Sequence, residues 1–201
     1  MTIIDLTHYL LSGMAVAVLT LCVACPPPAF AEPEIAVQKT VYQVSGTTAA
    51  QIRQSLNRNS PVRQHGQSFD AYTKWDVDWR LRWAYDADGT CRPTTVSTLV
   101  RIHYTLPGLQ GIDSLALELA ERWKRYMVEL VAHEEGHAKM GIEAAREIEQ
   151  QLSVLGQRSS CDQLDAEAKA LVSDIIARYS LLDDQYDTDI LYDQRTGPRF
   201  P

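Results

Sequence analysis

The residues most able to do chemistry form one pentapeptide in the second half of the chain, His133-Glu134-Glu135-Gly136-His137. It fits the pattern H-E-x-x-H, which places two histidines one turn apart when the segment is helical. Each residue advances about 100° around a helix, so the two imidazoles would be separated by about 40° and both could reach one zinc ion. The spacing therefore predicts that His133 and His137 are zinc ligands.

Glu134 would lie beside the two histidines, whereas Glu135 would point into solvent. From that position Glu134 can act as a general base, taking a proton from a zinc-bound water whose pKa the metal lowers to about 7. The pattern predicts a zinc metallopeptidase that hydrolyses amide bonds of a peptide or protein substrate. The alternative is a pair of core histidines, satisfied by hydrogen bonds, with a coincidental glutamate between them.

A long helix must position this motif. Residues 113–155 are rich in Leu, Ala, Glu, Arg and Lys and contain no proline, and Gly156 supplies a stop. The two histidines lie in the middle of the apolar stripe of this helix, so they face the core, where zinc would compensate their buried polarity. Gly136 and Gly141 are expected to leave room for another backbone to approach. The stripe consists of Tyr126, Leu130, Gly141, Ala144, Ile148 and Leu155.

The remaining elements predict a small sheet and a second long helix. Strands are expected at residues 35–44, 75–85 and 94–106, the last two as a hairpin, with a short helix at 48–56. A further helix is expected at 163–182, followed by an acidic tail. The sequence therefore predicts an α+β fold, in which an antiparallel sheet of three or four strands packs on the long helix and on a second, C-terminal helix.

Composition limits the class of protein. The 201 residues are 45% hydrophobic and 22% charged, which is typical of one globular domain and excludes collagen-like, disordered and polytopic membrane chains. With 26 acidic and 19 basic residues the net charge is −7, and no basic stripe is present. Nucleic acid is therefore excluded as an expected partner.

Residues 1–31 have the pattern of a secretory signal peptide. They contain no Lys or Arg, an apolar run at 10–25, three consecutive prolines and a small-x-small site that ends at Ala31. The apolar run is shorter than the roughly 20 residues of a membrane span, so we expect cleavage, a single zinc-peptidase-like domain at 32–201 and a secreted or periplasmic location. Asp5 stands where a basic residue is usual, and an uncleaved anchor helix or lipid attachment at Cys25 remain as alternatives.

Two cysteines, Cys91 and Cys161, remain after the predicted cleavage. An even pair in an exported chain predicts one disulfide. Two free buried thiols would be favoured in the cytosol, so this prediction depends on export.

Short motifs are spread in order over most of the mature chain. They are Tyr-Gln-Val-Ser-Gly at 42–46, Ala-Tyr-Thr-Lys-Trp at 71–75 with Trp79, Cys91, Thr-Leu-Pro at 105–107, Trp123, Cys161 and Tyr-Asp-Gln-Arg-Thr at 192–196. In this order and spacing they resemble a family of predicted secreted bacterial zinc-dependent proteases. The resemblance implies zinc-peptidase chemistry in the envelope or outside the cell, with an undefined substrate. Family members carry His-Gly after the last motif, where this chain has Pro198-Arg199.

The third zinc ligand is less determined. A metzincin-type ligand is excluded because Met140 and Glu143 occupy the positions of its glycine and histidine. Asp193 is the first choice, since it belongs to the 192–196 motif of the resemblance and a carboxylate is an acceptable zinc ligand. Glu167, on the following helix, is the alternative, and the acidic tail that contains Asp193 could instead be a solvated surface.

Two other functions remain open for this sequence. One is a non-catalytic envelope protein that binds zinc structurally or binds a partner through the acidic tail. A structural zinc site is closed by four protein ligands, whereas a catalytic one keeps an open position. The other is a zinc amidase acting on cell-wall peptides, which differs from a protease only in its substrate.

Overall fold

The computed structural model describes residues 32–64, 67–192 and 200. The predicted signal peptide lies outside the described residues. A short 3₁₀ turn at Ile112–Ser114 precedes the long helix. In chain order the other elements are β1 (Glu34–Val44), α1 (Ala49–Asn59), β2 (Arg63–Gln64), β3 (Gln67–Ser68), β4 (Tyr72–Tyr85), β5 (Cys91–Leu109), α2 (Leu117–Ser153) and α3 (Cys161–Tyr192).

The α+β class is confirmed, with a mixed three-stranded sheet in the order β1-β5-β4. β4 and β5 form the expected antiparallel hairpin, with a register shift between Arg82 and Trp83. β1 instead runs parallel to β5, with Ile35 opposite Val100, so the sheet is not antiparallel throughout. The alternation of apolar and polar residues along a strand indicates which face is buried but not the direction of the neighbouring strand. The sequence therefore does not distinguish parallel from antiparallel pairing of β1 with β5.

One face of the sheet packs on α2. The apolar side chains of β5 that point to this face are buried against the helix. On α2 the buried positions recur every three or four residues and include the predicted stripe as far as Ile148. They are Ala120, Trp123, Tyr126, Leu130, Glu134, His137, Ala138, Gly141, Ala144, Ala145, Ile148, Glu149 and Leu152. Glu134 and His137 therefore lie within the packed face of α2, and His133 is half-buried beside it.

The disulfide between Cys91 and Cys161 joins the start of β5 to the start of α3. The two Cα atoms are 5.1 Å apart, and Cys91 also exchanges two backbone hydrogen bonds with Arg158. The bridge closes a loop of 70 residues, which in the chain-entropy model stabilises the fold by about 4 kcal/mol. The predicted disulfide is confirmed, and it fixes where α3 begins.

α3 is longer than the sequence predicted. Its first turn is capped by Ser160, whose hydroxyl accepts a hydrogen bond from the backbone N–H of Gln163, and it continues ten residues past the predicted end at 182. The predicted acidic tail is therefore helical up to Tyr192. Neither Gly nor Pro interrupts 161–192, and the weak helix propensity of Asp is overridden by packing against α2. Within the described residues, no helix is both long and apolar enough to cross a membrane.

Phe200, one residue from the C-terminus, is a core residue. Its side chain is only 1% exposed and packs edge-on against Trp123 and Tyr126 of α2, with ring centroids 5.4 Å away in both cases. We expect Phe200→Ala to lower the free energy of unfolding by about 3–5 kcal/mol, because it removes a buried ring and leaves a cavity. Urea denaturation measures the change. Phe69→Ala, at a site that is 37% exposed, is the control, and an equal loss for both variants would contradict this role.

Candidate metal centre

Three potential metal ligands meet where α2 packs against α3. His133 and His137 lie on α2, and Asp187 reaches both from α3. The Oδ1 atom of Asp187 is 3.2 Å from Nε2 of His133 and 3.0 Å from Nε2 of His137, and the two Nε2 atoms are 3.3 Å apart. Ligand atoms around a tetrahedral zinc, with bonds of about 2.0–2.1 Å, are about 3.3 Å apart. The triangle therefore has the dimensions of three corners of such a site.

His137 is oriented through its second ring nitrogen. Its Nδ1–H donates a hydrogen bond of 2.8 Å to Oδ1 of Asp183, and the indole N–H of Trp75 donates one of 3.1 Å to the other oxygen of that carboxylate. A carboxylate that accepts from Nδ1–H fixes the tautomer in which the Nε2 lone pair is available to a metal. Asp183 therefore orients the His137 ring and does not itself belong to the ligand triangle.

His133 is held by stacking. Its ring lies over that of Tyr186, with centroids 5.3 Å apart and an angle of 15° between the planes. Its buried Nδ1 finds no hydrogen-bond partner among the residues that the structure describes. A Cβ at Gly136 would collide with the Tyr186 ring, and one at Gly141 would meet Trp75 at 2.8 Å. The two glycines do make room beside the motif, but for aromatic rings; the expectation that another backbone approaches them is wrong.

Glu134 is buried between α2 and β4, with 3% of its surface exposed. The hydroxyl of Thr73 lies 2.6 Å from Oε2 of Glu134 and 3.1 Å from its backbone carbonyl oxygen. Burial raises the pKa of this carboxyl, and the hydrogen bond from Thr73 and the charges of the two histidines offset part of that effect. Glu135 is exposed, as predicted. A carboxylate with a raised pKa beside the triangle is suited to accept a proton near neutral pH.

The charges around the triangle favour a cation. Burial lowers the pKa of His137, but its hydrogen bonds to Asp183 and Asp187 outweigh that effect and raise the pKa to about 10. Burial raises the pKa of Asp187, but its hydrogen bonds with the two histidines hold it below its usual range. Near neutral pH His137 is therefore protonated, and a divalent metal would displace the proton on Nε2 and supply the positive charge in its place.

Of the two residues predicted as a third ligand, the structure describes only Glu167. Asp193 lies outside the described residues. Glu167 is paired with Arg158 and hydrogen-bonded to Gln163 near the start of α3. It precedes Asp187 by 20 residues, about 30 Å along the helix axis. The alternative assignment of Glu167 is therefore wrong, although the following helix does supply a carboxylate.

Sequence reasoning missed four residues of the centre: Thr73, Asp183, Tyr186 and Asp187. Two signals in the sequence pointed to three of them, and none pointed to Tyr186. Thr73 belongs to the 71–75 motif, and the spacing of Asp183 and Asp187 repeats the i,i+4 spacing of the two histidines. The spacing of Asp183 and Asp187 is informative only if α3 continues beyond 182. Residues four apart share a face in a helix but not in an irregular tail.

Comparison with known proteins identifies the family. No curated protein and no solved structure matches the chain significantly. The model of a family described as bacterial protein of unknown function, DUF922, matches residues 39–193. This range is well over half of the chain and contains Thr73, the H-E-x-x-H motif, Asp183 and Asp187. The chain therefore belongs to the bacterial family DUF922.

Proposed function

We propose that this protein is a zinc-dependent metallopeptidase, with His133, His137 and Asp187 as the zinc ligands and Glu134 as the general base. The observation that carries the proposal is the triangle of two imidazole nitrogens and one carboxylate oxygen, with sides of 3.0–3.3 Å, next to a buried glutamate. Two histidines and one carboxylate form a common ligand set of catalytic zinc.

The donor groups suit zinc in chemistry as well as in spacing. Neutral imidazole and carboxylate are both ligands that Zn²⁺ accepts. The hydrogen bond from Nδ1 of His137 to Asp183 is the outer contact that a metal-bound histidine usually makes. Zn²⁺ held by these residues would supply a water whose pKa is lowered to about 7 and would polarise the substrate carbonyl.

The protein's own contribution is the proton transfer. Thr73 holds Oε2 of Glu134, so we expect the other carboxylate oxygen to take the proton from the attacking water and to pass it to the leaving amine. The burial of Glu134 fixes its side chain in one position and raises its pKa towards the operating pH. Asp183 and Tyr186 keep the two imidazoles in place while the proton moves.

The accessibility of the centre favours catalysis over a purely structural role. In the part of the chain that the structure describes, the ligand group consists of three residues, whereas structural zinc sites are closed by four. The side chain of Asp187 is 52% exposed, so solvent and substrate can approach the triangle from its side of α3. These observations support an open coordination position rather than a closed one.

An extracellular or periplasmic location is part of the proposal. The Cys91–Cys161 disulfide supports it, because such bonds persist mainly in oxidising compartments. Cleavage after Ala31 remains a prediction.

Metal analysis of the full-length protein recovered from the bacterial envelope, combined with an unselective peptide library, tests the function. We expect about one zinc per chain and hydrolysis that a chelator abolishes and zinc restores. Protein that binds no zinc after equilibration with it would refute the proposal. Zinc binding without hydrolysis of any peptide would favour the structural alternative.

A further inference from the structure

A cleft of about 710 Å³ lies beside the metal centre, between β4 and α3. Seven consecutive residues of β4, 72–78, form one wall. Ile176, Ser180 and Asp183 contribute to the other wall from α3. Seven extended residues span roughly 23 Å, so the cleft is long enough to hold a short peptide segment.

The wall formed by β4 is the open edge of the sheet. β4 is the outer strand in the order β1-β5-β4, and no other strand pairs with it among the described residues. Side chains from both faces of β4 line the cleft, such as Trp75 and Val77 from the inner face and Asp76 from the outer one. The backbone edge of β4 therefore lies between these two rows of side chains and faces the cleft. In an antiparallel edge strand, every second residue directs its N–H and C=O groups outward.

One end of the cleft is continuous with the candidate metal centre. Thr73 lines the cleft and donates its hydroxyl proton towards Glu134. Asp183 lines the opposite wall and accepts the hydrogen bond from His137. A chain that lies along β4 would therefore pass next to the general base and the zinc ligands.

Five charged groups of the cleft form ion pairs or hydrogen bonds within the protein. Lys74 forms an ion pair with Asp76, and Arg101 forms one with Asp78. Asp183 is engaged by His137 and Trp75. With these charges compensated, recognition through the backbone edge needs no particular charged side chain in the ligand.

We propose that this cleft binds the substrate as an extended polypeptide that adds a strand to the open edge of β4. The inference rests on the proposed function and specifies its substrate class, namely unfolded or locally extended protein segments of mixed sequence. Main-chain hydrogen bonds supply the recognition, since strand addition uses groups that every L-peptide carries. A cell-wall stem peptide, which contains D-residues, does not follow the regular pleat of such a strand.

Two serines of α3 provide a matched pair of variants. Ser180 and Ser173 are both exposed, and only Ser180 lines the cleft. In zinc-loaded Glu134→Gln protein, which avoids turnover, we expect Ser180→Trp to weaken binding of reduced and carboxymethylated lactalbumin at least about tenfold, and Ser173→Trp to leave it unchanged. Zinc content equal to that of the parent in both variants is the check that the centre is intact.

Amide hydrogen exchange locates the bound chain. In the same Glu134→Gln protein, we expect alternate amides of residues 72–78 to exchange more slowly when carboxymethylated lactalbumin is added. Unchanged exchange along β4, equal binding by the Ser180→Trp and Ser173→Trp variants, or displacement of lactalbumin by a cell-wall stem peptide would overturn the inference. Because binding is measured without turnover, an absence of peptide hydrolysis by the zinc-loaded wild type would instead count against the proposed function alone.

Discussion

Glu134→Gln should keep about one zinc per chain and lose at least about 100-fold in the rate of peptide hydrolysis. General acid–base catalysis typically contributes 10²–10⁴-fold, and an amide cannot accept the proton that the carboxylate takes. The substitution preserves volume in a buried position and leaves an oxygen to accept the hydrogen bond from Thr73, so the fold and the ligands are spared. Steady-state kinetics and metal analysis of the same sample measure the two effects.

Glu135→Gln is the matched control for this variant. The two glutamates are adjacent in sequence, but Glu135 is exposed and Glu134 is buried against β4. We expect the control to hydrolyse peptides at the wild-type rate. If Glu134→Gln also kept the wild-type rate, another group would have to activate the water, and the assignment of the general base would fail.

The parts of this centre that could be predicted are those encoded locally. The H-E-x-x-H spacing, the apolar stripe of α2 and the β4–β5 hairpin all depend on residues that are close in sequence. Periodicity reports such arrangements directly. The same reasoning correctly put His137 on the packed face and Glu135 in solvent, because a helix fixes the relative directions of its side chains, whereas His133 is only half-buried.

The parts that could not be predicted depend on contacts between distant residues. Asp187 meets His137 across 50 residues of sequence, and Thr73 meets Glu134 across 61. The parallel pairing of β1 with β5 and the burial of Phe200 are of the same kind. A helix that ends at 182 leaves Asp187 in an irregular tail, whereas packing on α2 keeps this Asp-rich segment helical despite its weak intrinsic preference.

The strongest test of the centre asks whether zinc affinity depends on Asp187 or on Asp193, the ligand expected from the sequence. Mutation of an outer partner of a metal ligand typically costs 10–100-fold in metal affinity, so removal of a direct ligand in Asp187→Ala should cost at least about 100-fold. Competition with a zinc-binding dye measures the affinity. Circular dichroism of the zinc-free protein checks that the variant still folds.

Asp193→Ala distinguishes the two carboxylates. If Asp187 is the third ligand, this variant should bind zinc as tightly as the wild type. Full zinc affinity in Asp187→Ala together with its loss in Asp193→Ala would assign the third ligand to Asp193.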